Sequence, residues 1–333
     1  MAAIVSSTYP NLANLAASLA PDGSLADITN LLSKKKILQD VPFIEGNLPT
    51  GHVISVQDNA LPSASWRSLN RGVSATKVVP SQYTESAGIL EDESRVDVAL
   101  AKMSGNPAQY RQRQDSLKAE GISQQFETAL FYESVTSNPE RVHGLAPRYG
   151  ATTGMTASSY TLNGTNAGTN CHSLWLIAWD PRKIYGFYPK HSQLGLQFKD
   201  KGEWRVLDSN SNPFWAFITN IVWNVGIAVE DYRYAVRFQW DPDDAAFADD
   251  DRGMYLALLQ MLSTIYGTDA PMRFYMNRTS LAKLNAQLAS NDARFLTYQA
   301  MHGAGGDPSM LEPHFNGVPV RITDQLVAET AIS

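Results

Sequence analysis

The spacing of apolar and polar positions divides the chain into segments of different character. In the first forty residues two short apolar-periodic stretches, Leu12 to Leu19 and Leu25 to Leu32, are separated by Pro21-Asp22-Gly23. Each is too short to be stable alone, so together they predict an N-terminal arm whose helices need a partner surface. An alternating run, His52 to Gln57, then leads out to Leu61-Pro62 and SWRSLNRG, and VSATKVVPSQYT leads back. This predicts a long hairpin from Gly51 to about Tyr83, with Pro62 and Pro80 marking where ladder pairing stops. Trp66, Arg67 and Arg71 fall at its far end, out of reach of the chain's own core. SAGILEDES reads as a linker.

Residues 107 to 131 predict the clearest helix. Ser104 and Asn106 offer capping oxygens, Pro107 suits the first turn, and Tyr110, Leu117, Phe126 and Leu130 fall near one face. The opposite face carries Arg111, Gln112, Arg113, Gln114 and Lys118, and Gly121 permits a bend. At 1.5 Å per residue the helix would be roughly 40 Å long, more than a compact small domain needs.

Beyond residue 145 the pattern predicts short strands broken by turns, with helices late in the chain. SLWLIAW (173–179), KIYGFY (183–188) and YRYAVRFQW (232–240) are strand candidates. In the last, Tyr232, Tyr234, Val236, Phe238 and Trp240 share one face, while Arg233 and Arg237 share another that is wet or covers a partner. Leu256, Leu259 and Leu262 mark a helix over 253–266, residues 273–276 a strand, and Leu281, Leu284 and Leu288 a second helix. Asn316-Gly317 opens a final strand, VPVRIT.

Composition narrows the function classes. With 333 residues, 44% apolar, the chain can bury a sizeable core as one large or two medium domains. Its formal net charge of -6 is the wrong sign for tight binding to nucleic acid through phosphates. The basic run Lys34-Lys35-Lys36 reads as a solvated helix end. Cys171 is the only cysteine, which excludes an intramolecular disulfide. No apolar run approaches the roughly 20 residues that span a bilayer. Without a secretory leader, a reducing cytoplasm is the expected compartment, and the N-x-T triplets at Asn163 and Asn277 are not glycosylation acceptors.

Candidate chemistry is sparse. Nothing resembles a G-x-S-x-G elbow, and Cys171 and His172, adjacent in a strand, would point to opposite faces. The histidines show no i, i+3 or i, i+4 pairing for a metal. WDPDDAAFADDDRG (240–253) fails as an EF-hand loop, since Ala246 and Arg252 stand where glycine and glutamate are wanted; Asp249 to Asp251 read as helix caps. HGAGGDP (302–308) reads as a mobile loop. Accordingly no catalytic residue, cofactor or metal is assigned. What remains in excess is surface suited to other chains: an arm, a hairpin carrying a tryptophan and arginines, and an over-long helix.

Several segments resemble one family. FYESVTSNPERVHGLAPRYG (131–150) after a long helix is similar to the segment following the spine helix of tailed-bacteriophage major capsid proteins with the Hong Kong 97-type fold, in the branch of short-tailed phages. QDVPFIEGNLPTGH (39–52) and LPSASWRSLNRGVSATK (61–77) resemble that branch's arm and extended loop. SLWLIAWDPRKIYGFYPK (173–190), DYRYAVRFQWD (231–241), RFYMNRT (273–279) and FNGVPVRITDQL (315–326) resemble its later strands.

The resemblance implies an α+β capsid fold: an arm (1–50), an extended loop (51–90), a peripheral domain with the spine helix (91–150), and a largely axial region (151–333) from which some strands return to the peripheral domain. Trp66, Arg67, Asn70, Arg71 and Lys77 would contact a neighbouring subunit, with Gly121 as a hinge in the spine helix. The chain would assemble through pentamers and hexamers into an icosahedral shell around double-stranded DNA, held weakly. A separate scaffolding protein, a portal protein and a decoration protein would be partners, and no membrane would be. Assembly would occur in the host cytoplasm, and the product would be the virion. The alternatives are a cellular nanocompartment shell and a cytoplasmic hydrolase using a carboxylate pair such as Asp241 and Asp249.

Overall fold

A long helix joins two mixed sheets in the computed structural model, which describes residues 37–57, 64–75, 80–164, 168–208, 210–247, 253–266, 269–290, 296–300 and 311–332. The arm stretches, Lys34 to Lys36, Pro62, Lys77, Asp249 to Asp251 and the 302–308 loop lie outside the described residues. In chain order come α1 (Ile37–Asp40), β1 (Phe43–Glu45), β2 (Gly51–Gln57), β3 (Pro80–Ser86), β4 (Gly88–Asp97), α2 (Val98–Met103) and α3 (Pro107–Tyr132). Next are β5 (Thr161–Gly164), β6 (His172–Ala178), β7 (Ile184–Tyr188), β8 (Gln197–Leu207), β9 (Pro213–Val229) and β10 (Ala235–Trp240). The chain ends with α4 (Gly253–Thr264), β11 (Met272–Met276), α5 (Arg278–Ser290), β12 (Leu296–Ala300), β13 (Leu311–Phe315) and β14 (Val318–Ile322).

The first sheet runs β1-β7-β9-β4, with β8 also paired to β9; the second runs β12-β13-β14-β11-β6-β10-β5; β2 and β3 form a separate ribbon. One core cluster spans both sheets because α3 reaches each of them. Phe126 of α3 packs on Trp223 of β9 at 4.6 Å between ring centroids. Five residues on, Phe131 meets Trp175 of β6 at 5.9 Å and Tyr275 of β11 at 6.1 Å. The helix starts as its sequence predicts: the Asn106 side chain accepts from the Gln109 amide at 3.2 Å and Pro107 occupies the first turn. Ser104 instead closes α2, its amide donating to the Leu100 carbonyl. Leu117 departs from the expected face and is 46% exposed, whereas Tyr110, Phe126 and Leu130 are buried.

Five further expectations are corrected. The segment 86–94 is no linker; it belongs mostly to β4, which pairs with β9 from Gly88↔Val225 to Asp97↔Ala216. Among the described residues β4 pairs with no other strand, and its acids Asp92 and Glu93 are held by Lys118 at 2.7 Å and Lys201 at 3.2 Å, which suits an edge that must not recruit another strand. Strands after residue 145 are not uniformly short, since β9 has 17 residues and serves three partners. Residues 232–234 form a 3-10 turn rather than strand, and Arg237 is buried, not wet. Its strand lies between β5 and β6, and its guanidinium is satisfied by Glu329, by Ser173 Oγ at 3.0 Å and by the Tyr149 carbonyl at 2.8 Å. In α4 the buried residues are Met254, Ala257, Leu258 and Met261, while Leu256 faces outward. The Met254 amide at that helix's start donates to Gln287 Oε1 of α5 at 2.9 Å.

The final turn has the conformation its residues favour: Asn316 and Gly317 both have positive φ, 49° and 82°, the requirement of a two-residue turn between β13 and β14.

Candidate assembly surfaces

The predicted hairpin is present, with β2 and β3 antiparallel from Gly51↔Ser86 to Gln57↔Pro80. Pro80 stands at the last pair, as a residue without a backbone donor must near the end of a ladder. A side chain at Gly51 would lie 2.2 Å from the Glu85 carbonyl oxygen, so the strands can close at the root only around glycine.

The root is buried and polar. Direct pairing puts His52 with Glu85 and Ile54 with Tyr83, and Ile54 packs with Tyr185 and Phe187 of β7 and Ala228 of β9. Arg148 grips Glu85 with two bonds, Nη1 to Oε1 at 2.6 Å and Nη2 to Oε2 at 2.8 Å. Burial opposes the Arg148 charge, but hydrogen bonding and attraction from Glu85 outweigh it and raise its pKa. The Tyr83 hydroxyl donates to the Val229 carbonyl. The Asn47 amide donates to His52 Nδ1 at 3.3 Å, which places the ring proton on Nε2, 2.9 Å from the Tyr185 hydroxyl; that hydroxyl donates to Glu230. Burial lowers the His52 pKa, since an imidazolium there would lose its water, with Glu230 and Glu85 opposing the shift. Burial, then Glu230, raises that of Tyr185.

The tip is the reverse. Trp66 is 103% exposed and Leu69 95%. Arg67 Nε donates to the Arg71 carbonyl at 2.9 Å, and the Arg71 amide donates to the Ser68 carbonyl at 3.3 Å. Asn70, at φ 64°, fills the left-handed position of this turn, which asparagine tolerates better than most residues. Asn70 and Arg67 therefore shape the tip, and Trp66 and Leu69 are what it displays. Gly121 lies in an uninterrupted helix, exposed, where an added Cβ meets nothing within 4 Å.

A second displayed region was missed by sequence reasoning. β8 and β9 form a hairpin carrying Trp204, Leu207 and Trp215, each more than half exposed. The signal was the aromatic and β-branched run PFWAFITNIVWNV, uniformly apolar enough to hide its alternation.

For small-molecule chemistry there is little. A surface cavity of about 550 Å³ opens beside the hairpin root between Ile89, Pro189, His191, Gln197 and Asn224. Among the described residues no three His, Cys, Asp or Glu side chains gather as metal ligands. Cys171 is buried, and the His172 ring bonds Asn277 at 2.8 Å rather than the thiol.

A family model described as Major capsid protein GP7 matches residues 20–332. Among solved structures, a chain from the near-atomic structure of bacteriophage Epsilon15 is similar with TM-score 0.73 and 21% identity, over 99% of this chain and 99% of that one. The bacteriophage JBD30 capsid gives 0.51 and 10%, over 90% of this chain and 96% of that one. The same capsid decorated with minor capsid protein trimers gives 0.50 and 10%, over 91% and 95%. These likenesses show the fold. No protein of curated function matches the sequence.

Proposed function

The chain belongs to the major capsid protein GP7 family, and from that premise we propose how its copies hold one another. It is a structural subunit of the virion, associating with itself into a shell, and not an enzyme. In our reading, pentamers and hexamers close an icosahedral shell around double-stranded DNA. Residues 51–90 are the extended loop; the β1-β7-β9-β4 sheet with α3 is the peripheral domain; and the β12-to-β5 sheet is the axial domain.

One observation carries this reading: a tryptophan wholly outside its own core stands on a hairpin whose root is fixed by a buried bidentate ion pair. Fixing the root removes much of the orientational entropy that a loose loop would lose on binding. Trp66 and Leu69 supply the apolar contact to the neighbouring subunit, Arg67 and Arg71 its charge, with Lys77 on the returning segment. A scaffolding protein, a portal protein and a decoration protein complete the partner set, with assembly in the host cytoplasm. The net charge of -6 fits a wall that does not grip DNA tightly.

The test compares the parent chain with Trp66→Ala by size-exclusion chromatography with light scattering and by negative-stain microscopy. Shells or capsomer-sized rings for the parent, weakened in the variant, are expected. A variant that assembles as well as the parent would remove the loop from the contact.

A further inference from the structure

The cavity beside the hairpin root draws its walls from separate parts of the chain that are bonded to one another. Pro49 and Thr50 come from the turn before β2, Ile89 from β4, Lys190 and His191 from the turn after β7, and Asn224 from β9. The Lys190 amide donates to the Leu48 carbonyl at 3.0 Å and the Ala87 amide to that of Thr50 at 3.2 Å, so the turns hold each other in place. His191 has φ 70°, a left-handed backbone uncommon outside glycine, and its amide donates to Glu45 Oε1 at 3.3 Å. At about 550 Å³ the space falls within the range of about 300–1,000 Å³ found for ligand sites.

Three features say what fits there. Lys190 is exposed and, among the described residues, enters no ion pair, and no carboxylate lines the cavity. The nearby acids are already engaged: Glu45 by the His191 amide, and Glu91, two residues beyond Ile89 on the same strand, by Asn220 Nδ2 at 2.7 Å. In a chain of net charge -6 this is a local excess of positive charge, and it favours a carboxylate. Ile89, 67% exposed on a paired strand, offers an apolar contact beside it. Asn224 gives its Nδ2 to Ser192 Oγ at 3.1 Å, while its buried Oδ1 has no partner among the described residues and lacks a donor. A simple anion would answer Lys190 alone. A peptide brings a carboxylate, an apolar side chain and a backbone N–H together.

We propose that this cavity binds a short acidic and apolar peptide segment of another protein, its carboxylate on Lys190, its apolar side chain on Ile89 and a backbone N–H on Asn224 Oδ1. The site does not involve the hairpin tip and does not rest on the role proposed for Trp66.

The test uses the full chain as unassembled subunits with fluorescein-labelled, end-capped hexapeptides that hold one leucine and one glutamate at every spacing, read by fluorescence anisotropy. Saturable binding of at least one member is expected, and none when lysine replaces its glutamate. Lys190→Glu and Ile89→Ser should each weaken that binding about ten-fold or more, and Trp66→Ala should leave it unchanged. All three variants should melt close to the parent by circular dichroism, since the side chains changed are exposed. A set with no saturable member, or binding that Lys190→Glu leaves unchanged, would overturn the proposal. So would glutarate displacing the label as well as unlabelled peptide does, which would mark a site for simple anions. Loss of self-assembly in Lys190→Glu would make a second copy the occupant and overturn it as well.

Discussion

The two ends of the β2-β3 hairpin hold the same residue types to opposite purposes. At the root an arginine and a tyrosine are buried, a histidine and a second tyrosine are half-buried, and every bond described for them closes within the chain. At the tip two arginines and a tryptophan face water, and the bonds made there only shape the turn. The difference lies in what surrounds the strands. β7 and β9 wall the root, so its charge must be paired; among the described residues nothing walls the tip, and in our reading its apolar surface is left for another subunit.

The strongest way to break this contrast is at the root. Arg148→Met strands a buried Glu85 carboxylate and should cost about 3–5 kcal/mol, read from urea denaturation of unassembled subunits; Glu85→Gln in the same chain should recover part of it. Next comes the tip. Trp66→Ala should leave subunit stability within about 0.5 kcal/mol of the parent yet weaken each inter-subunit contact by about 2 kcal/mol or more, so that stability and assembly part company.

Smaller is the pH effect of the root. The folded His52 pKa lies below its ordinary value near 6.5, so below that pH the unfolded chain binds more protons than the folded one. Stability should therefore be level above about pH 7 and decline as the pH falls through 6.5, until the native ring titrates. His143, His172 and His314 are lowered too, chiefly by burial, and share the direction. His52→Gln should make the slope of the urea midpoint between pH 7 and 5 shallower; an unchanged slope would assign it to the other histidines. Smallest is Gly121→Ala, which should stabilise the subunit by about 0.5–1 kcal/mol, because the Cβ has open space and alanine is the better helix former. A slower conformational transition of assembled shells in this variant, followed by light scattering, would identify Gly121 as a hinge; an unchanged rate would make it only an exposed helical glycine.

Much of this was legible in the sequence where local signals were strong. Asn106-Pro107 and the apolar spacing gave α3 to within a residue at its end, Asn316-Gly317 gave the last turn, and the alternation of His52 to Gln57 gave β2. Tertiary context hid the rest. β4 looks like a linker because its acids are answered by lysines far along the chain, and Arg237 looks solvated because its partner, Glu329, lies 92 residues away. The tip was legible because its residue types are anomalous for a solvated turn. The β8-β9 face was not, because exposed Trp215 and buried Trp223 lie on one strand with nothing in their identity to tell them apart.

The central claim is that the tip's core is supplied by a neighbour, and hydroxyl-radical footprinting of Trp66 in assembled shells and in dissociated subunits measures it directly. Oxidation of Trp66 should be strongly suppressed in shells and rapid in subunits. Equal oxidation in both would mean that the tryptophan stays in water after assembly, and the hairpin would then be no clamp between subunits.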